Sequence, residues 1–227
     1  VTEHLRHATK AFLAGDHASA RAVFEAILAP IASVDIDLGQ RELVEEVLRV
    51  DVRACVAQYA ASVYTTTTLR ERADAIIRAL EQVQGVGTLS TPIKDMEDVC
   101  AGARPDLETF LPRWVKRLER FRLSKDEWET EHERWLREAV FRLDGVGGLE
   151  RIARKTRRPQ ARLAWYQALA DRGEWTEALK ASKAATRLVR QLLGAASCWT
   201  GRRSRRRSSD GPIYPSGWRP RGAWLPR

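Results

Sequence analysis

Gly15-Asp16-His17-Ala18-Ser19-Ala20 and Gly173-Glu174-Trp175-Thr176-Glu177-Ala178 follow one pattern. In each, a helical stretch stops at Gly, an acid and an aromatic ring follow, and an Ala falls inside the next helix, five residues after the Gly. Gly tolerates the positive φ that ends a helix in the left-handed conformation, and a small side chain lets two antiparallel helices approach closely. The two stretches therefore predict α-hairpins near both ends of the globular part. Gly15, Ala20, Phe24 and Gly173, Trp175, Ala178 are the hairpin-defining residues.

Outward from the first hairpin, a helix is expected from residue 2 or 3 to Ala14. A second runs from His17 to Ala29, with Ala20, Val23, Phe24, Ile27 and Leu28 on one face and Pro30 closing it. After a loop over residues 31–39, Gln40 to Tyr64 forms a long helix with apolar rows on two sides, which calls for neighbours on two sides. Thr65 to Thr68 interrupts it through β-branching, and the next helix starts near Thr68 and runs to Gln84. Pro92 to Cys100 is a short helix with Thr91 as cap and Pro at the first helical position. Asp106 caps the turn into a helix carrying Phe110, Trp114 and Leu118, which Pro112 must start or kink. Ser124 and Glu127 make a capping-box pattern. The helix they open buries Trp128, Trp135, Leu136, Ala139, Val140 and Leu143, and ends at Gly145-Val146-Gly147-Gly148. Leu149 to Lys155, Pro159 through Leu169, and Trp175 to about Leu193 complete the series. The reading is all-α: antiparallel hairpins stacked as an irregular array of about 9–10 helices over residues 1–195, with a tail at 196–227.

Composition agrees. Of 227 residues, 44% are hydrophobic and 30% charged, as in a globular chain, and 14 Gly with 9 Pro leave little room for a turn-rich β fold. The net charge of +9 suggests nucleic acid until it is located: residues 197–227 contribute +7 of it. Cys55, Cys100 and Cys198 are far apart and form no C-x-x-C pair, so neither a disulfide framework nor a zinc site is expected. Cys55 reads as helix core. No apolar leader or membrane-length run is present in the sequence, and a cytoplasmic protein of bacterial type is expected. Val1 in place of Met suggests an alternative start codon or a fragment.

Residues capable of chemistry do not converge. His4 and His7 share a helix face and His17 follows, but no carboxylate or thiol completes a metal site by spacing. His132 lies beside the apolar stripe and reads as a packed core histidine. Asp35 with Asp37, and the acid-rich run Glu127 to Glu133, read as caps or solvated faces. Leu136 stands where an H-E-x-x-H motif needs its second His. Gly145 to Gly148 has neither the preceding strand nor the following Lys of a phosphate loop. Arg113, Lys116, Arg117, Arg120, Arg151, Arg154, Lys155, Arg157 and Arg158 are interspersed with acids and read as ordinary charged faces. No catalytic, cofactor or metal residue is assigned, and a non-enzymatic role is expected.

The spacing around both hairpins resembles the tetratricopeptide-like superfamily of helical repeats, with Gly15, His17, Ala20, Phe24 and Ile27 matching in the first copy and Gly173, Trp175, Ala178, Ser182 and Ala185 in the second. The match covers two hairpins, about a third of the chain. The long helix at Gln40 to Tyr64 exceeds the usual helix length, and the middle of the chain lacks a 34-residue period. The resemblance implies protein or peptide binding on a helical surface, and carries over no catalytic residue.

From Ser197 the composition changes abruptly to Arg, Pro, Trp, Gly and Ser with no Lys or Glu. Such a segment cannot build a core and is expected to be disordered. Its composition is what a GC-rich coding region yields out of frame, and a frameshift near Leu193 would make the chain a truncated piece of a longer repeat protein. The expected function is a scaffold for an unknown protein or peptide. The alternative is a nucleic-acid-associated protein that uses Arg202, Arg203, Arg205, Arg206, Arg207, Trp199 and Trp218 with the basic helices.

Overall fold

The computed structural model describes residues 1–36, 44–122, 129–183 and 186, and over these it is helical with no strand. The helices are α1 (Thr2–Leu13), α2 (His17–Ala32), α3 (Val44–Leu48), α4 (Val52–Thr66), α5 (Arg72–Gln82), α6 (Pro92–Val99), α7 (Leu107–Leu118), α8 (Glu131–Thr156) and α9 (Pro159–Asp171). A further helical stretch covers 175–183.

The two quoted stretches form the same turn. Gly15 and Gly173 have φ of +83° and +75°. In the first, Gly15 N–H donates to the Phe12 carbonyl at 3.0 Å and Asp16 N–H to the Ala11 carbonyl at 2.9 Å; in the second, Gly173 N–H donates to Ala170 and Glu174 N–H to Leu169, both at 2.9 Å. This is the paired 5→2 and 6→1 bonding of a Schellman ending. The restarts differ in one detail. The Asp16 carboxylate accepts the Ser19 amide at 3.0 Å, whereas Glu174, one methylene longer, pairs with Arg172 at 3.3 Å. Ala20, Phe24 and Ala178 are buried as the hairpin requires. Trp175 is 67% exposed, so its ring does not pack into the crossing as His17 does, edge-on to Phe12 at 5.1 Å.

At the centre lies α4, buried from Val52 to Tyr64 except at Arg53 and Ala54. α1, α2, α5 and α6 all pack against it. The expected long helix at Gln40 to Tyr64 is therefore two: Arg49 takes a positive φ of +49°, and the Asp51 side chain restarts the helix by accepting the Ala54 amide at 2.8 Å. Residues 40–43 of that expectation lie outside the described residues. α4 continues to Thr66, and α5 starts only at Arg72, because the hydroxyls of Thr65 and Thr66 bond back to the Ala61 and Ser62 carbonyls within α4. Pro30 does not close α2, which runs on to Ala32. Likewise α7 runs through Pro112.

The capping box of α8 is formed by Thr130 and Glu133; the expected Ser124–Glu127 pattern, and Trp128, lie outside the described residues. Trp135, Leu136, Ala139 and Val140 are buried as expected, but Leu143 is exposed. At Gly145, φ of +61° and ψ of −143° break the helical path, and helix resumes at once. The Gly145–Gly148 run is thus a kink rather than a terminus, and the expected short basic helix is the second limb of α8. The main core spans α1 to α9, while Val146, Leu149, Ala168, Leu169, Ala178 and Ala181 make a smaller core under the last hairpin. Trp165 packs against both.

The kink depends on Gly148. A Cβ there would lie 2.5 Å from Val140 Cγ1 and 2.9 Å from Asp144 Cβ, whereas one at Gly147 would meet nothing within 4 Å. Gly148→Ala is expected to cost about 1–3 kcal/mol by overpacking, and Gly147→Ala to gain about 0.5–1 kcal/mol from helix propensity. Urea unfolding of the two variants checks the contrast.

Candidate binding groove

Pro at the first helical position has no N–H to satisfy, which leaves the amides of Ile93 and Lys94 as the donors at the start of α6. Thr91 was the expected cap, yet its side chain makes no capping bond. Glu138 reaches across from α8 instead. Its Oε2 accepts the Ile93 amide at 3.1 Å and its Oε1 the Lys94 amide at 2.7 Å, so a carboxylate sits at the positive end of the α6 dipole. Burial pushes the Glu138 carboxyl up to about 7, against the pull of those two amides and of Arg142.

This tie holds the start of α6 over one side of α8. α9 faces the same side, and the three enclose a cleft of about 500 Å³. Ser90, Thr91 and Lys94 close one end; Phe141, Leu149, Ala164 and Ala168 form the apolar lining. The cleft shares Ser90, Arg134, Arg137, Ala164 and Gln167 with an adjoining hollow of about 810 Å³ bordered by Glu129, Gln160 and Leu163. Phe141 and Leu163 remain 45% and 58% exposed.

The rim is cationic, and most of its charge is already engaged. Arg142 grips Glu97 through two bonds of 2.8 and 2.6 Å. Arg137 pairs with the buried Glu129, and Lys94 with Asp98 at 2.5 Å. Arg134 differs: its described bond is to the Glu129 carbonyl at 3.5 Å, with no carboxylate among the described residues. The groove therefore offers apolar surface plus one guanidinium open to an acidic group.

The candidate residues read from the sequence are dispersed. Among the described residues no group of three or more His, Cys, Asp or Glu could hold a metal ion. His132 stacks on Phe121 at 3.9 Å, stands edge-on to Trp135 at 5.0 Å, and places Nε2 3.1 Å from Glu81 Oε1, which makes it a packed histidine. Glu133, in the acid-rich run, is buried between its cap and Arg158 at 3.3 Å. Asp35 accepts the Ser33 hydroxyl at 2.6 Å; Asp37 is outside the described residues. Of the basic residues, Arg117, Arg151, Arg154 and Lys155 pair with Asp74, Asp144, Glu150 and Glu119. Cys55 is core, its thiol pushed up to about 11 by burial. Arg202, Arg203, Arg205, Arg206, Arg207, Trp199 and Trp218 lie outside the described residues. None of the described helices is long and apolar enough to cross a membrane. Comparison with family models, curated proteins and solved structures finds no match.

The groove escaped the sequence reading because its key tie, Glu138 to α6, joins residues 44 and 45 positions apart. The tie makes a pH prediction. A carboxyl that ionises near 7 in the fold but near its ordinary 4.5 when unfolded favours the fold when protonated, so its contribution is lost as pH rises between those values. Wild type is expected to lose on the order of 3 kcal/mol relative to Glu138→Gln between pH 4.5 and 7, with a constant difference outside that window. Denaturant unfolding across pH measures it; a difference flat through the window contradicts the assignment.

Proposed function

We propose that the chain is a non-catalytic interaction scaffold of tetratricopeptide-like build, and that it holds a protein partner in the groove between α6, α8 and α9. The groove carries this reading. It is concave and apolar, it leaves Phe141 and Leu163 partly exposed, and it is bordered by Lys94, Arg134, Arg137 and Arg142. Large apolar side chains exposed in a concavity gain nothing in the isolated chain and are what a partner covers. The size suits a short helix or an extended segment, and the uncompensated Arg134 favours one that presents Asp or Glu beside its apolar anchors. The repeated Schellman hairpin supports the tetratricopeptide-like build.

Peptides of acidic, amphipathic character selected on the full chain by phage display test the proposal. Phe141→Asp and Leu163→Asp are expected to weaken the selected peptides at least tenfold, each anchor contributing roughly 1.4 kcal/mol or more. Leu179→Asp, on the outer side of the last hairpin, is expected to leave affinity intact. Equal affinity across all three variants would sink the groove assignment. The second reading, nucleic acid held by residues 197–227, rests on their +7 charge. It requires binding that falls steeply with salt and disappears when those residues are removed.

A further inference from the structure

A second concavity, of about 550 Å³, opens where α4 gives way to α5. The threonines that end α4 and begin the link, Thr66 to Thr68, bring hydroxyls to its lining, and Arg70, Glu71, Asp74 and Arg78 bring charge. Ala75 is the one apolar residue among the described residues that line it. Arg21 completes the lining from α2. Its Nη1 donates to the Thr66 and Thr67 hydroxyls at 3.1 and 3.4 Å, so this guanidinium is held at the cavity by the fold itself.

The charges here are unequally engaged. Asp74 pairs with Arg117 of α7, and Glu71 accepts the Thr68 hydroxyl at 3.0 Å. Arg21 has Glu25 at 3.9 Å. Arg70 and Arg78 are exposed and make no ion pair or hydrogen bond among the described residues, although Asp74 stands one helical turn from Arg78. Four arginines thus stand against three carboxylates, which leaves positive charge in surplus. Arg70 and Arg78 differ from solvated arginines elsewhere because both line one concavity with a third arginine already in place.

The lining also defines the occupant. With a single apolar residue it gains little from hydrophobic burial, so the ligand is hydrophilic. Guanidinium forks match the acceptor oxygens of a phosphate. Carboxylates only accept, so Glu71 and Asp74 suit hydroxyl donors and repel a second anionic group. The volume falls within the range of small-molecule sites, about 300–1,000 Å³, and leaves room for a body beyond one phosphate.

We propose that this concavity binds a phosphomonoester of a small polyhydroxyl compound, a sugar phosphate by chemical class. Arg21, Arg70 and Arg78 take the phosphate, and Glu71 and Asp74 accept from the hydroxyls of the body. None of these residues lines the groove, so the site stands or falls independently of the scaffold reading.

The test titrates the full chain by calorimetry with glucose 6-phosphate, inorganic phosphate and glucose in turn, at constant ionic strength balanced by chloride. Glucose 6-phosphate is expected to bind saturably and more tightly than either of the other two. Arg70→Gln and Arg78→Gln are each expected to weaken Kd about tenfold, the loss of one charge-assisted bond, and Arg154→Gln on α8 to leave it unchanged. Neither Arg70 nor Arg78 is bonded within the described fold, so these variants report on binding rather than folding. Backbone amide shifts of the wild type give a second readout without substitution, with the changes expected at 66–78 and around Arg21 and not in α9. Four results would each overturn the proposal: no saturable binding of glucose 6-phosphate, equal affinity for inorganic phosphate or glucose, an unchanged Kd in both arginine variants, or shifts that leave 66–78 untouched.

Discussion

Burial of α4 on nearly every side is the constraint on which the rest depends. A helix whose Cys55, Val56, Tyr59, Ala60, Val63 and Tyr64 are all inaccessible must have neighbours all round, and α1, α2, α5 and α6 supply them. Beyond those neighbours the core continues through stacked rings. Tyr64 stands edge-on to Phe110 at 5.0 Å, Phe110 stacks near Trp114 at 5.5 Å, and Trp114 lies near Trp135 at 6.3 Å. Each such pair contributes about 0.5–1.5 kcal/mol beyond its area. Trp135 adds a bond from its indole N–H to the Leu89 carbonyl at 2.7 Å, so the series leads from α4 through α7 to α8.

That series positions the groove. α8 is fixed to the core by its first limb, through Trp135, Ala139 and Val140, and Glu138 on the same limb holds the start of α6. Past the Gly145 kink the second limb divides: Val146 and Leu149 join the smaller core beneath the last hairpin, while Ile152 and Ala153 return to the main core. α9 packs against α8 there, and the space left between α9 and the start of α6 is the concavity. The groove is thus a consequence of one kinked helix serving two cores. Where α4 ends, the start of α5 and the segment before α7 each bring an arginine, Arg72 and Arg104, to the ring of Tyr64.

Much of the fold was legible in the sequence because local chemistry decides it. Gly15 and Gly173 announce their turns, and apolar spacing marks Ala20, Phe24 and Leu28, or Phe110, Trp114 and Leu118, as buried faces. The misreadings arise where tertiary packing or a competing cap decides. Asp51 splits an otherwise continuous helical pattern, Thr65 and Thr66 extend α4 by bonding back into it, and Pro30 and Pro112 are carried inside helices. Trp175 reads as an anchor by type yet stands exposed. The site was nearly illegible. Glu138 resembles any solvent-facing acid on a helix until α6 is placed above it, and nothing local to Arg72 or Arg104 says that both rest on one ring.

Amide hydrogen exchange of the full chain tests the central role of α4 most directly. Local opening spans free energies from near zero up to that of global unfolding. The account places the slowest amides in α4 from Cys55 to Tyr64 and along α7 from Phe110 to Trp114, exchanging together with global unfolding, and places much faster exchange in the last hairpin at 160–183. Exchange of α4 as fast as that hairpin, or protection concentrated in α9, would contradict it.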